Sequence, residues 1–145
     1  MSGEEGGVET LRIYDEPGMV GSLALAALID LLRPFAIQSQ WRIAAVVDGD
    51  REYFEATGSA AEDLEALAQS GELVSIDALL KLAKKTRQVI WGHFDVGLDP
   101  TWLTLRAIDS TFVEVTTADR RVLGLLKSQF EDVRTYPAPW RSPWN

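Results

Sequence analysis

The chain has no cysteine and one histidine in 145 residues. Disulfides, thiolate metal sites and cysteine nucleophiles are therefore excluded, as is any metal site built from several imidazoles. A long apolar run is missing too. The longest, MVGSLALAALIDLL at 19–32, is too short to cross a bilayer and is interrupted by Asp30. Ahead of it stand Glu4, Glu5, Glu9, Asp15 and Glu16, where a secretory signal needs bases. A cytoplasmic protein without membrane contact is the expectation.

Recognisable catalytic loops are absent as well. No GxSxG elbow and no glycine-rich oxyanion loop occurs, and no lysine and serine follow Gly18 and Gly21 as a phosphate-cradling loop requires. DGDREYFE at 48–55 places its glycine too early for a calcium loop. With 22 acids in the chain, two carboxylates close in sequence say nothing of a catalytic pair. The sequence predicts no cofactor and no metal.

What is present is a soluble globular composition, with 46% hydrophobic and 25% charged residues, enough for one core and too short for two. No repeat, low-complexity linker or interdomain break appears. The expected division is a flexible N-terminus at 1–8, one domain at 9–134, and a C-terminal arm at 135–145 rich in proline and tryptophan. The arm cannot continue a helix. Trp140 and Trp144 either dock on the domain or anchor a partner.

The formal charge is −8, and it is concentrated. Nine acids stand between Asp48 and Asp77 against one base, Arg51, so this segment alone carries −8 and the remaining 13 acids and 13 bases cancel. Such a field repels nucleic acid and attracts basic partners on encounter. A solvated face that merely keeps the protein soluble is the plainer alternative.

Periodicity supplies the elements. LRIYD at 11–15 reads as a strand, and an apolar helix follows at about 19–33, closed by Arg33 and Pro34. WRIAAVVDGDREYFEATG at 41–58 reads as one long hairpin turning at Asp48-Gly49, with Ile43 opposite Phe54 and Trp41 opposite Ala56. Ser59 and Glu62 form a capping box for a short acidic helix that Gly71 stops. Ser75 caps another helix, to about Thr86, with Lys81, Lys84 and Lys85 on its outer side. QVIWGHFDVG at 88–97 is a strand, and WLTLRAIDSTFVEVTT at 102–117 folds back on itself through Ile108, Asp109 and Ser110. That turn sets Leu105 opposite Val113, and Arg106 opposite Phe112 with Glu114 diagonal to it. Thr116 or Thr117 then caps a helix to about Phe130. The fold class expected is α+β: a single domain with a mostly antiparallel sheet, hairpin plus meander, covered by helices.

AIDSTFVEVTT followed by ADRRVLGLLKSQFEDVR, residues 107–134, resembles the strand, cap and helix ending of small acidic bacterial immunity proteins, which are encoded beside polymorphic or contact-delivered toxins. The resemblance implies an antitoxin that binds a cognate toxin domain, for instance a nuclease, and occludes its active site without catalysis of its own. Asp48, Asp50, Glu52, Glu55, Glu62, Asp63 and Glu65, with Trp102, are the expected contact residues. A second class of function is a small-molecule site or hydrolase-like pocket built from Trp91, His93, Asp95 and Arg106, with His93 as general base. A homodimer is a third.

Overall fold

The computed structural model describes residues 7–14, 22–97, 100–109 and 111–136. Among them are ten strands and four helices in the order β1 (Glu9–Ile13), α1 (Ser22–Ala36), β2 (Gln40–Ala44), β3 (Val46–Asp48), β4 (Arg51–Tyr53), β5 (Glu55–Gly58), α2 (Ala61–Ser70), β6 (Val74–Ser75), α3 (Ile76–Lys84), β7 (Thr86–Val96), β8 (Leu103–Ile108), β9 (Phe112–Thr117), α4 (Arg120–Gln129) and β10 (Val133–Tyr136). The fold is α+β, dominated by one large antiparallel sheet in the order β10-β1-β9-β8-β7-β2-β6, with β5 also paired to β7. A separate two-stranded ribbon is formed by β3 and β4.

One face of the sheet is apolar because every second residue on its strands is. Leu11 and Ile13, Val113 and Val115, Leu103 and Leu105, Phe94 and Val96, Trp41 and Ile43 all pack into a single core with the buried sides of the four helices. From α1 come Leu25, Leu28, Ile29 and Leu32, and Trp41 and Ile29 are wholly buried. Strand β7 is the spine. Its 11 residues pair with β8 at 92–96, with β2 at 93–96, and with β5 at 86–91.

The long hairpin expected over 41–58 is therefore corrected. Only 46–48 and 51–53 pair with one another, with Val47 opposite Glu52 and Asp48 opposite Arg51, while Trp41 pairs with Val96 and Ala56 with Val89. A free two-stranded ribbon would leave Trp41 and Ile43 half wet, whereas docking both flanks on β7 buries them completely. The turn also moves by one residue. Gly49 and Asp50 are the loop, and only Gly49 takes a positive φ, +67°, which fits a type II′ turn and not the type I′ that Asp48-Gly49 suggested.

Other ends shift for local reasons. Helix α1 runs through Pro34 to Ala36. Pro34 lies in the last turn, and the bond it forfeits is to Asp30, an exposed residue whose carbonyl water can satisfy. Helix α2 starts on Ala60 without a side-chain cap, because the Ser59 hydroxyl donates to the Lys85 carbonyl, 3.2 Å away. Helix α3 is capped by Ser75, whose Oγ accepts from the Ala78 N–H, as expected. Asp119 caps α4 in place of Thr116 or Thr117, which belong to β9.

The pairing closes at Ile108 opposite Phe112, so Leu105 faces Val115, and Arg106 faces Glu114, not Phe112. The register slips by two residues in sum, so the inward and outward faces are those expected. Two short strands, β6 and β10, carry no alternation long enough to announce them. Strand β10 takes Thr135 and Tyr136 into the sheet beside β1, and Trp140 and Trp144 lie outside the described residues. Among the described residues no helix is long and apolar enough to cross a membrane.

Candidate functional site

The seven acids proposed for contact fall on consecutive pieces of one region. Asp48 and Asp50 sit at the tip of the β3–β4 ribbon, Glu52 on β4, Glu55 on β5, and Glu62, Asp63 and Glu65 on the first turns of α2. All seven are exposed. None of them makes an ion pair among the described residues, although Asp48 stands opposite Arg51 in the ribbon. Several acids elsewhere are paired: Glu9 with Arg120 and Lys127, Asp77 with Arg33, Glu114 with Arg12 and Arg106, Asp132 with Arg134.

The ribbon and α2 enclose a trough. Its upper part, about 560 Å³, is lined by Ala44, Ala45, Val47, Glu52, Phe54, Glu65, Ala68 and Gln69. Its lower part, about 400 Å³, shares Phe54 and Glu65 and adds Glu55, Ala56, Ala61 and Glu62. The described lining contains four glutamates and no base. Its floor is apolar, with Phe54 half-buried against the core and Val47 41% exposed, one of the few large apolar side chains left so open. The ribbon is anchored by Tyr53, whose ring stacks on Trp91 of β7 at 4.7 Å between centroids and 24° between planes. Gly92 leaves room for Val89 and Phe94, since a Cβ there would come 2.9 and 3.2 Å from them, and the Phe54 ring lies against the same spot.

Trp102 lies apart from the trough. Its indole N–H donates to Ser39 Oγ at 3.0 Å, its carbonyl accepts from the Thr117 hydroxyl at 2.7 Å, and its side chain packs on the core. It lines a different cleft, of about 580 Å³, with Val8, Phe35, Thr104 and Arg121. Trp102 and the acids thus line different clefts.

Trp91, His93, Asp95 and Arg106 are neighbours, as pairing of β7 with β8 requires, with His93 directly opposite Arg106. They do not line an opening. His93 is 0% and Asp95 2% exposed, on the sheet face opposite Phe94 and Val96. His93 Nε2 is 3.0 Å from Asp95 Oδ1, the same oxygen accepts from the Thr104 hydroxyl at 2.9 Å, and Arg42 is 3.9 Å from Oδ2. Next to this group Glu114, 3% exposed, accepts from Arg12 Nε at 2.8 Å and Arg106 Nη1 at 2.9 Å. Arg12 in turn lies over the Phe112 and Tyr136 rings at 4.5 and 3.9 Å. Chemically this is a connected polar layer that ties β2, β7, β8, β9 and β1 together in register. Trp91, His93, Asp95 and Arg106 line none of the five described cavities.

Sequence reasoning missed the hub role of Glu114 and the participation of Arg12, Arg42 and Thr104. The alternation that put Thr104, Arg106 and Glu114 on one face was the available signal; which strands flank β7 and β9 was not. No group of three or more metal-binding side chains gathers among the described residues. No protein-family model, no curated protein and no solved structure matches this chain.

Proposed function

We propose that the protein is a non-catalytic binding protein whose acidic trough receives a basic surface of a partner protein. The observation that carries this reading is the set of seven exposed acids without ion pairs among the described residues, four of which line a groove whose floor is apolar. Unpaired like charges crowded on one surface repel one another, and a cationic partner removes that repulsion while covering Val47 and Phe54. Following the resemblance of residues 107–134, the partner is a bacterial toxin domain, nuclease in class, and the outcome of binding is occlusion of its active site in the cytoplasm. A nuclease cleft is basic because its substrate is a polyanion.

The test is coexpression with the product of the adjacent open reading frame. The wild-type chain rescues growth and copurifies with that product, and the variant E52K/E55K/E62K/E65K does neither while remaining folded. Rescue by the reversed variant contradicts the reading. The pocket reading around His93 draws less support, because its ring is enclosed and hydrogen-bonded to a carboxylate that is buried as well.

A further inference from the structure

We infer that the trough is built to take arginine side chains of the partner, and not merely positive charge. This rests on the reading of the trough as the contact surface. The two halves of the trough meet at Phe54 and Glu65, which line both. Further carboxylates stand along that aromatic floor, Glu52 in one half and Glu62 in the other. None of these carboxylates is engaged by a base among the described residues.

An aromatic ring between carboxylates distinguishes the two cationic side chains. A guanidinium is planar and weakly hydrated, so it can lie on an apolar or aromatic floor while its edge donates forked N–H bonds to a carboxylate. An ammonium is compact and strongly hydrated, and it loses more in leaving water for an apolar floor. The α2 residues that line the trough run from Ala61 to Gln69, about 12 Å at the helical rise of about 1.5 Å per residue. That length accommodates two guanidinium groups in succession, one by Glu52 and Glu65 and one by Glu62. The occupant is thus a short segment of the partner carrying at least two arginines.

Isothermal titration of the whole chain with acetylated hexa-arginine amide and hexalysine amide at low salt reads this directly. Hexa-arginine should bind at least about threefold tighter, the size of one modest cation–π contribution. Hydrogen exchange of the wild-type chain with hexa-arginine should then show added protection at 52–56 and 61–69. Phe54→Leu should bring the arginine affinity down to the lysine value and leave the lysine value unchanged. The exchange measurement needs no variant, so it decides the question even where Phe54→Leu does not fold. Equal affinities for the two peptides, or protection elsewhere, overturn arginine recognition and leave the basic-partner reading standing. Absence of binding by either peptide overturns both.

Discussion

Glu114 holds two guanidinium groups at once, and it does so with almost no access to water. Removing its charge leaves the half-buried Arg12 and Arg106 with a neutral acceptor between them; the cost of a buried pair is discounted because both guanidinium groups keep some water, to about 1–2 kcal/mol. Glu114→Gln is therefore expected to lower the unfolding free energy by about that amount in urea denaturation, with an unchanged slope. At the surface, Asp119 has a different role. The Arg121 guanidinium holds its carboxyl below the usual range, helped by the backbone N–H groups of Arg121 and Val122, while partial burial acts in the opposite direction. A carboxyl depressed in the folded state stabilises fully above its unfolded value of about 3.9, and that stability is lost as pH falls through the lower folded value. Asp119→Ala should cost about 1 kcal/mol at neutral pH, and the difference from wild type should close in denaturation series taken at progressively lower pH below about 4. At this scale some residues that act on their own neighbours were legible, Ser75 as a cap and Gly71 in the left-handed conformation at φ +71°, whereas the caps at Ser59 and Asp119 were not. Glu114 was legible by half: its pairing with Arg106 followed from the meander, whereas Arg12 is 102 residues away.

The ribbon of β3 and β4 is the element on which the account depends most. Two strands with one turn are barely stable in water by themselves, so the ribbon needs its anchor, the stack of Tyr53 on Trp91. Trp91→Ala should remove the roughly 1 kcal/mol of the ring pair and release the ribbon from the sheet. Amide exchange at 46–53 is expected to quicken while β8 and β9 keep their protection; uniform loss across the sheet would mean that Trp91 supports the core and not the ribbon. The alternation of apolar and polar residues was enough to place β7, β8 and β9 and to give each its correct face. It failed over 41–58, where a local hairpin signal competed with pairing to β7, whose partners of Trp41 and Ile43 are Val96 and Phe94, and the burial of Trp41 and Ile43 decided in favour of the latter. Strands β6 and β10 are two and four residues long, too short for a period to show, and they exist because a neighbouring edge was free.

For the whole molecule, the separation of roles between the two sheet faces and the trough governs what the protein can do. The helix-covered face holds the core, the opposite face holds a polar layer whose described members engage one another, and the acids of the ribbon and α2 remain uncompensated. The charge asymmetry was fully visible in the sequence, since eight net charges lie within 48–77. Its shape was not. Nothing in the order of residues said that Glu52 and Glu65 line one groove with Phe54 beneath, because that requires knowing that the ribbon folds toward α2. A field of this kind acts first on encounter, at distances comparable with the screening length of about 8 Å in physiological salt. The most direct measurement is the association rate of the protein with its basic partner, the product of the adjacent open reading frame, followed by stopped-flow fluorescence across ionic strength for the wild type and for E52K/E55K/E62K/E65K. The account predicts a wild-type rate that falls steeply as salt rises, and for the variant a rate at least about tenfold lower at low salt with a nearly flat salt dependence. Equal rates for the two proteins at low salt would contradict it.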